Sequence, residues 1–388
     1  MTDEPLQFPD EPIPGGWADP LVMAKLVRWA GAMEASDIKI VPTGPIMIRV
    51  HGSYYAVSRN APARHELSIL LEEMSNDRAA AATIFGGGIV NFGYRVPREH
   101  RDRRSGFWRL RGNATAAAGL HGDDEAGASI TLRFIPDKIP ETEELGISAD
   151  FLQRFIVPHG LVSISGVMGS GKTTTLAAVM QHRLRTRMEA MMTLERPIEF
   201  DYGNITDRVG VVEQCEVPRM ISSFEEGIIS STRKAVDVLM VGETNDRATM
   251  EALVKAAEVG IAVYHTLHTP SVAAIPTRII HNFTAEEAPG IAVSFCGAAQ
   301  FLLQQRLYPR VGGGRVALRE WVSLDEDHRQ LLINTPHEKL FSALETIVQK
   351  YGRSLLDDAS EALDKDWISE DTYREIQVEK ERVMSGGH

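Results

Sequence analysis

One short segment, residues 166–173, limits the fold of this chain more than any other feature of its sequence. It reads GVMGSGKT, follows the apolar run LVSIS and precedes TTLAAVM. Glycines between a strand and a helix allow a tight turn whose backbone N–H groups point inward, and the positive end of the helix dipole faces the same space. The pattern therefore predicts an α/β domain with a cradle for a nucleotide phosphate.

The side chains of this segment have specific roles in phosphate binding. Lys172 reaches the β- and γ-phosphates, and the hydroxyl of Thr173 binds Mg²⁺. No Asn-Lys-x-Asp tetrad, which would read a guanine base, occurs in the chain. ATP and Mg²⁺ are thus the expected cofactors. The expected cofactor-binding residues are Gly166, Gly169, Ser170, Gly171, Lys172, Thr173 and Thr174.

The length of the chain, 388 residues, predicts two domains. Residues 1–16 contain several prolines and little apolar material, so a flexible arm is expected there. Residues 17–137 mix short strand and helix patterns, which indicates an α+β domain, and a proline-marked linker follows at 138–149. Within that domain the expected helices span 21–33 and 65–74, and the expected strand regions span 38–57, 89–94, 107–114 and 129–134, with a loop at 122–127.

Residues 150–388 have the alternating pattern of an α/β domain. Near-continuous apolar runs predict strands that are covered on both faces. These runs span 162–165, 190–194, 209–212, 238–241 and 262–266, with a helix at 173–187. After residue 320 the chain becomes charged and largely helical, and a helical C-terminal region is expected over about 335–388.

A carboxylate that could activate water follows one of these strands. The apolar run 238–241 is followed by Gly242 and Glu243. A glutamate at the tip of a buried strand beside the phosphate cradle can polarise the water that attacks the γ-phosphate. Glu243 is therefore the predicted catalytic base.

Two further strands end in polar side chains. Glu195 and Glu199 lie four positions apart in TLERPIEF, and such acids can hold Mg²⁺ waters or orient the nucleophile. His268 follows the strand at 262–266 and could sense the γ-phosphate by hydrogen bonding. Surface acids and a structural histidine are the alternative interpretations of these three residues.

The composition of the chain argues against some classes of binding partner and some cellular locations. The net charge of −12 argues against a protein that coats nucleic acid, and no sequence-specific nucleic-acid binding is expected. The two cysteines, Cys215 and Cys296, have no metal-ligand spacing, which favours a reducing cytoplasm. The acidic start lacks the layout of an export signal, and no apolar stretch approaches the length of a membrane span.

The order of the motifs GVMGSGKT, TLERPIEF, VDVLMVGETND, AAEVGIAVYHTLHT and QQRL resembles that of the PilT-like branch of the type II and type IV secretion ATPase superfamily. This resemblance implies a PAS-like N-terminal domain followed by a RecA-like P-loop ATPase domain, with six copies in a ring. It gives Glu195 and Glu199 the aspartate-box roles, with Glu195 also at the metal, and gives His268 the histidine-box role. It also implies that arginines of the N-terminal domain, here best matched by Arg111 and Arg133, reach the nucleotide of a neighbouring subunit.

Several neighbouring arginines compete for that role. Arg233, just before the Glu243 strand, is another candidate for subunit contact. A solvated basic face explains most of the others, which are Arg95, Arg98, Arg101, Arg103, Arg104 and Arg109.

The chain departs from the family pattern at several positions. Arg196 stands where the aspartate box usually has an aspartate, and Ile261 and His265 replace a usual histidine and a usual glycine. After Asn-Thr-Pro at 334–336, the chain has HEKLFSAL instead of the element typical of pilus retraction motors. The chain in this respect looks most like the DotB and TraJ group of type IVB secretion and conjugation ATPases.

The motifs and the resemblance together imply a hexameric, Mg²⁺-dependent ATPase in the cytoplasm, recruited to the inner-membrane side of a secretion apparatus. The connector at 136–146 is its expected hinge. A pilus retraction or assembly motor, a RecA-like nucleic-acid motor and a ring component whose nucleotide is structural remain as alternatives.

Overall fold

The computed structural model describes residues 7–13, 16–50, 53–99, 106–118, 127–136 and 138–384. The chain divides into two compact units, Met1–Lys138 and Ile139–His388. Arg101, Arg103 and Arg104, and nearly all of the loop predicted at 122–127, lie outside the described residues. The domain limits given above stay a prediction.

The first unit contains, in its described part, one six-stranded sheet with the order β3-β2-β1-β6-β5-β4. Every neighbouring pair of strands is antiparallel. The strands are β1 (Ala35–Ile40), β2 (Met47–Val50), β3 (Ser53–Ala56), β4 (Val90–Pro97), β5 (Phe107–Ala117) and β6 (Gly127–Ile135). The helices are α1 (Pro20–Ala32), α2 (Arg64–Ser75) and α3 (Ala80–Phe85).

The core of this unit lies on one face of the sheet, where buried helix residues such as Leu26 and Leu70 pack with Ile38 and Leu132. Phe8 belongs to the same core and is only 2% exposed. Its backbone N–H also donates to the carbonyl oxygen of Val57 at 2.9 Å. This part of the predicted arm therefore packs on the first unit. Phe8, which lies between prolines in the sequence, places its ring among the apolar side chains of the core.

The second unit contains, among its described residues, a seven-stranded sheet with the order β13-β12-β7-β11-β10-β8-β9. The strands are β7 (Gly160–Ser165), β8 (Ala190–Glu195), β9 (Val211–Glu216), β10 (Val238–Val241), β11 (Ala262–Leu267), β12 (Ala299–Pro309) and β13 (Arg315–Ser323). All pairs are parallel except β12 with β13. The predicted strands at 162–165, 190–194, 238–241 and 262–266 lie within observed strands, whereas the one at 209–212 begins later.

Helices cover both faces of this sheet. Successive residues of the central strands alternate between two cores, so that Leu161 faces one and Val162 the other. This alternation requires apolar residues at consecutive positions, which is the pattern that the sequence shows. The helices are α4 (Ala149–Phe155), α5 (Lys172–Thr186), α6 (Phe224–Ser231), α7 (Arg247–Glu258), α8 (Ala274–Ile280), α9 (Ala288–Ala298), α10 (Glu326–Ile333), α11 (Leu340–Tyr351), α12 (Leu355–Asp364) and α13 (Glu370–Met384).

The β12–β13 hairpin was not among the predicted elements. Its turn contains three consecutive glycines, Gly312, Gly313 and Gly314, all with positive φ. The hairpin adds β12 to the edge of β7 and so brings its residues behind the phosphate loop. Beyond β13 the chain is helical, with α12 and α13 packed on β13 through the apolar cluster that includes Leu318, Ala359 and Ile376.

The segment at 139–148, which precedes α4, packs on the second unit. Ile139 and Ile147 are buried in the same core as Val162 and Phe155. Ser148 then caps α4 by accepting from the N–H of Phe151 at 3.2 Å. Nowhere in the described ranges does a helix combine the length and the apolar character that crossing a membrane requires.

Candidate nucleotide site

The phosphate loop connects the end of β7 to the start of α5. Gly166, Gly169 and Gly171 have φ values of 146°, 77° and 81°, which side chains with a β-carbon rarely adopt. A β-carbon on Gly166 would also lie 2.3 Å from the carbonyl oxygen of Gln305. Glycine is therefore required at 166 both for its backbone conformation and for the close approach of β12.

Lys172 is the first residue of α5, and its side chain turns back across the loop. Its Nζ donates to the carbonyl oxygens of Gly166 at 2.7 Å and Val167 at 3.0 Å. Burial lowers the pKa of Lys172 to about 8, while the charge of Glu199 opposes this shift. The ammonium group is thus still mainly charged at neutral pH. Thr173 and Thr174 follow on the first turn of the helix and are partly exposed.

Ser170 gives a direct indication that the loop fits a phosphate. Its residue is 2% exposed, and within the described part of the chain its Oγ has no hydrogen-bond partner. A buried hydroxyl without a partner is costly. It can donate to a phosphate oxygen, as can the N–H groups at the start of α5. These residues therefore fit the triphosphate of ATP.

His268 comes directly after β11 and lies beside the loop. Its Nδ1 is 3.0 Å from the carbonyl oxygen of Gly166, the same oxygen that accepts from Lys172. Because a carbonyl oxygen only accepts, Nδ1 must carry the hydrogen. Nε2 is then left to act as an acceptor when the ring is neutral and as a donor when it is charged. The structure thus brings together two of the predicted site residues, Lys172 and His268.

Glu243 follows β10, which β11 alone separates from β7 in the sheet. Its Oε2 accepts from Asn245 Nδ2 at 3.2 Å and lies 3.5 Å from Nη2 of Arg196. The next residue, Thr244, is anchored by its backbone N–H, which donates to the carbonyl oxygen of Thr266 at 3.1 Å. The predicted base therefore lies at the same sheet edge as the phosphate loop and is paired with the arginine that departs from the family pattern.

Glu195 is the last residue of β8, and its carboxylate is turned inward. The residue is 3% exposed and accepts hydrogen bonds from Thr193 Oγ1 at 2.7 Å, Gln214 Nε2 at 3.3 Å and the backbone N–H of Glu199 at 3.3 Å. Burial raises the pKa of Glu195 to about 7, although these bonds lower it. A direct Mg²⁺ ligand needs an open position, so the location of Glu195 does not favour its predicted metal role. It anchors the segment that carries Glu199, whose charge acts on Lys172.

His265 is buried in β11, three residues before His268. Its Nε2 lies 2.7 Å from Ser163 Oγ of β7, and its Nδ1 lies 3.2 Å from Thr244 Oγ1. Burial lowers the pKa of His265 to about 3, so the ring is neutral. It links the strand of the phosphate loop to the residue after Glu243.

Gln305 is a site residue to which the sequence alone assigns no role. It lies in β12, is 1% exposed and donates from Nε2 to the carbonyl oxygen of Ser170 at 2.7 Å. Its Oε1 accepts from Thr175 Oγ1 at 2.8 Å and from Arg319 Nε at 3.0 Å. The motif QQRL contains Gln305. Its position against the phosphate loop, however, depends on the β12–β13 hairpin, which was not predicted.

Arg111 and Arg133 lie in the first unit, on the neighbouring strands β5 and β6, where they are register partners. Arg133 is two-thirds exposed, and its Nε donates to Oδ1 of Asp37 at 2.8 Å. The Asp37 side chain is only 5% exposed. The sheet therefore places Arg111 and Arg133 opposite each other on neighbouring strands, and Arg133 is held by a buried carboxylate.

Comparisons with known proteins agree with these observations. Residues 125–312 match the family described as Type II/IV secretion system protein. The chain is 31% identical over 325 residues to the type IV pilus retraction ATPase PilT of Pseudomonas aeruginosa, across 84% of this chain and 89% of that protein.

Solved structures show the same relationship. The ATPase DotB of Legionella pneumophila is 30% identical and matches with a TM-score of 0.86 over 97% of this chain and 99% of DotB. DotB of Yersinia pseudotuberculosis, at 22% identity, shares the fold with a TM-score of 0.79 over 96% of this chain and 98% of its own. The predicted resemblance is thereby confirmed, and the chain belongs to the type II/IV secretion ATPase family, in its PilT-like branch.

Proposed function

We propose that this protein is a Mg²⁺-dependent ATPase that works as a homohexamer and powers a type IVB-like secretion or conjugation system. The observation that carries this proposal is the convergence of Lys172 and His268 on the carbonyl oxygen of Gly166, at the sheet edge where Glu243 also lies. A loop of this kind binds phosphates, and the nearby carboxylate supplies a base for water. Family membership supports the same conclusion.

Each residue has a chemical role in hydrolysis. Lys172 and the loop N–H groups bind the β- and γ-phosphates, and Ser170 Oγ donates to a phosphate oxygen. Thr173 would hold Mg²⁺, which when bound neutralises charge on those phosphates. Glu243 orients and polarises the attacking water, and His268 in its charged form donates from Nε2 to the γ-phosphate. Glu199 acts at the site through its charge, on a backbone that Glu195 anchors.

The proposed ring explains the arginines of the first unit. A terminal phosphoryl group gains charge during transfer, and a cation from a neighbouring subunit stabilises it. We assign this role to Arg111 and Arg133, on a first unit that we take to be PAS-like because its sheet is covered by helices on one face. Hydrolysis then depends on the arrangement of subunits, and the resulting shift between the two units is the mechanical output.

The choice of a secretion system over a pilus has two supports. The fold matches the DotB structure with a TM-score of 0.86 over 97% of this chain, against 0.76 over 91% for the structure of the pilus retraction motor PilT. The segment after residue 336 also lacks the element typical of pilus retraction motors. The protein would therefore work in the cytoplasm, recruited to components of a secretion apparatus at the inner membrane.

Phosphate release from the purified protein tests the enzymatic part. We expect turnover that requires Mg²⁺ and is abolished in Lys172→Ala. Glu243→Gln should lower kcat about 10²–10⁴-fold and leave ATP binding intact. Glu258→Gln, an exposed glutamate at the end of α7, is the matched control and should behave as wild type. Wild-type turnover in Glu243→Gln would refute the role of this residue, and a monomer without turnover would refute the ring ATPase.

Deletion in the native host tests the biological part. Loss of exported substrates or of conjugative transfer, restored by wild type but not by Glu243→Gln, supports the proposal. Loss of surface pili or of twitching with normal export would assign the protein to the pilus alternative. Turnover that is stimulated by single-stranded DNA would favour the nucleic-acid motor.

A further inference from the structure

Arg319 is a buried cation whose hydrogen bonds run in three directions. It lies in β13, is 5% exposed and donates from Nε to Gln305 Oε1 at 3.0 Å. Its Nη2 donates to the carbonyl oxygen of Leu145 at 3.0 Å, and its backbone N–H donates to Asp358 Oδ2 at 2.9 Å. One residue thus contacts β12, the segment at 139–148 and α12.

Packing alone does not explain why a charged side chain is buried at this position. Burial lowers the pKa of Arg319 to about 10, and Asp358 opposes the shift, so the guanidinium is charged at neutral pH. Asp358 is shared with Arg353, whose Nε donates to its other oxygen at 2.7 Å. A buried charge is often no more stabilising than an apolar side chain of similar size. The directional bonds are therefore the feature that an apolar side chain could not supply.

These bonds form a continuous path from the phosphate loop. The carbonyl oxygen of Ser170 accepts from Gln305, Gln305 accepts from Arg319, and Arg319 donates to Leu145. The amide of Gln305 cannot be turned over, because its NH₂ group would then face the donors of Arg319 and Thr175. A shift of the Ser170 carbonyl would therefore disturb its bond from Gln305 and, through Gln305 Oε1, the bond from Arg319.

We propose that Arg319 is a positioning residue that couples the phosphate loop to the segment at 139–148, through which the chain passes from the first unit to the second. The inference rests on the proposed function, since it names the internal link by which nucleotide binding reaches that segment. Arg319 does not touch the nucleotide.

Amide hydrogen exchange of the full-length protein, with and without a non-hydrolysable ATP analogue and Mg²⁺, provides the test. In wild type we expect the analogue to change the exchange rates of residues 139–148. We expect this change to be about fivefold or more in wild type, a usual size for coupling, and to fall close to one in Arg319→Met. Binding of a fluorescent ATP analogue should persist. Arg315→Met, on the exposed start of the same strand, is the matched control and should respond as wild type.

A merely structural role gives a different result. It would raise exchange at 139–148 equally with and without the analogue and leave the response to nucleotide at its wild-type size, which would overturn the inference. If Arg319→Met does not fold, Arg319→Lys keeps the charge but cannot reach Gln305 and Leu145 together, and it should show the same loss of response. Wild type that binds and hydrolyses ATP without a response at 139–148 would overturn the inference alone, whereas wild type that binds no ATP would overturn the proposed function.

Discussion

The Nδ1 atom of His268 donates a hydrogen bond to the carbonyl oxygen of Gly166 at 3.0 Å. This bond fixes the tautomer of the ring and ties the end of β11 to the phosphate loop. Since the same oxygen accepts from Lys172, a phosphate that draws the lysine away leaves His268 as the remaining side-chain donor to it. The hydrogen bonding of His268 to the loop is therefore expected to change when a phosphate binds there.

Two substitutions of His268 should separate these roles. Asn can keep a donor near the position of Nδ1 but has no counterpart of Nε2, whereas Ala loses both. We expect His268→Asn to bind ATP as wild type and to lose about a hundredfold in kcat, and His268→Ala to weaken binding as well. Steady-state phosphate release with a separate binding titration measures both. Equal kcat in wild type and His268→Asn would show that Nε2 takes no part.

The lowered pKa of Lys172, about 8, predicts a pH dependence of nucleotide binding. The charged ammonium binds phosphate, so affinity should be constant below about pH 8 and fall by up to tenfold for each pH unit above it. Binding of a fluorescent ATP analogue between about pH 7 and pH 10 checks this. Lys172→Arg keeps its charge throughout that range and should show no such fall, whatever its absolute affinity.

Arg196 should restrain Glu243. Their side chains are 48% and 36% exposed, so the pair contributes little to stability, about 0–1 kcal/mol. The Arg196 guanidinium nevertheless contacts Oε2 of Glu243, an oxygen that the attacking water would need to reach. We expect Arg196→Met to leave the melting temperature almost unchanged and to raise kcat a few-fold. A fall in kcat would instead show that Arg196 acts on the nucleotide.

The pair of Arg133 and Asp37 allows the proposed action across the ring to be separated from folding. Arg133→Ala removes the guanidinium and should lower turnover of the assembled protein about a hundredfold or more if it stabilises transferred phosphate. Asp37→Asn keeps Arg133 but removes the carboxylate that accepts from Arg133 and from Ser36 Oγ, at about 1.5–3 kcal/mol in stability of the first unit. Its turnover should stay near wild type. Equal losses of turnover in both variants would assign Arg133 a structural role.

Local patterns were sufficient to predict four of the parallel strands, at 162–165, 190–194, 238–241 and 262–266, and the phosphate loop. The apolar run at 238–241 coincides with β10, because a strand covered on both faces needs apolar residues at consecutive positions. The convergence of Lys172 and His268 on one oxygen could not be predicted, since it depends on how the end of β11 lies against the loop. The burial of Glu195 could not be predicted either, since its spacing from Glu199 does not show that its carboxylate is turned inward. Its metal role stays a prediction.

The hairpin of β12 and β13 was missed because its strands carry polar residues at buried positions. Gln305 and Arg319 are 1% and 5% exposed, yet they resemble surface residues in the sequence. They bond to each other across the hairpin and to partners far along the chain, such as Ser170 and Leu145. The periodicity of apolar residues along the sequence does not indicate such pairs. The buried polar network could therefore not be predicted from the sequence.

The place of β11 between β7 and β10 has a consequence for how the site can vary. Two inter-strand spacings, roughly 9.5 Å in total, separate the strand that leads into the phosphate loop from the strand that leads to Glu243. Main-chain bonding therefore sets the width of the reaction chamber, and side chains at the strand tips set its chemistry. A substitution at a strand tip, such as one at Arg196, can therefore change the chemistry of the site without altering this spacing.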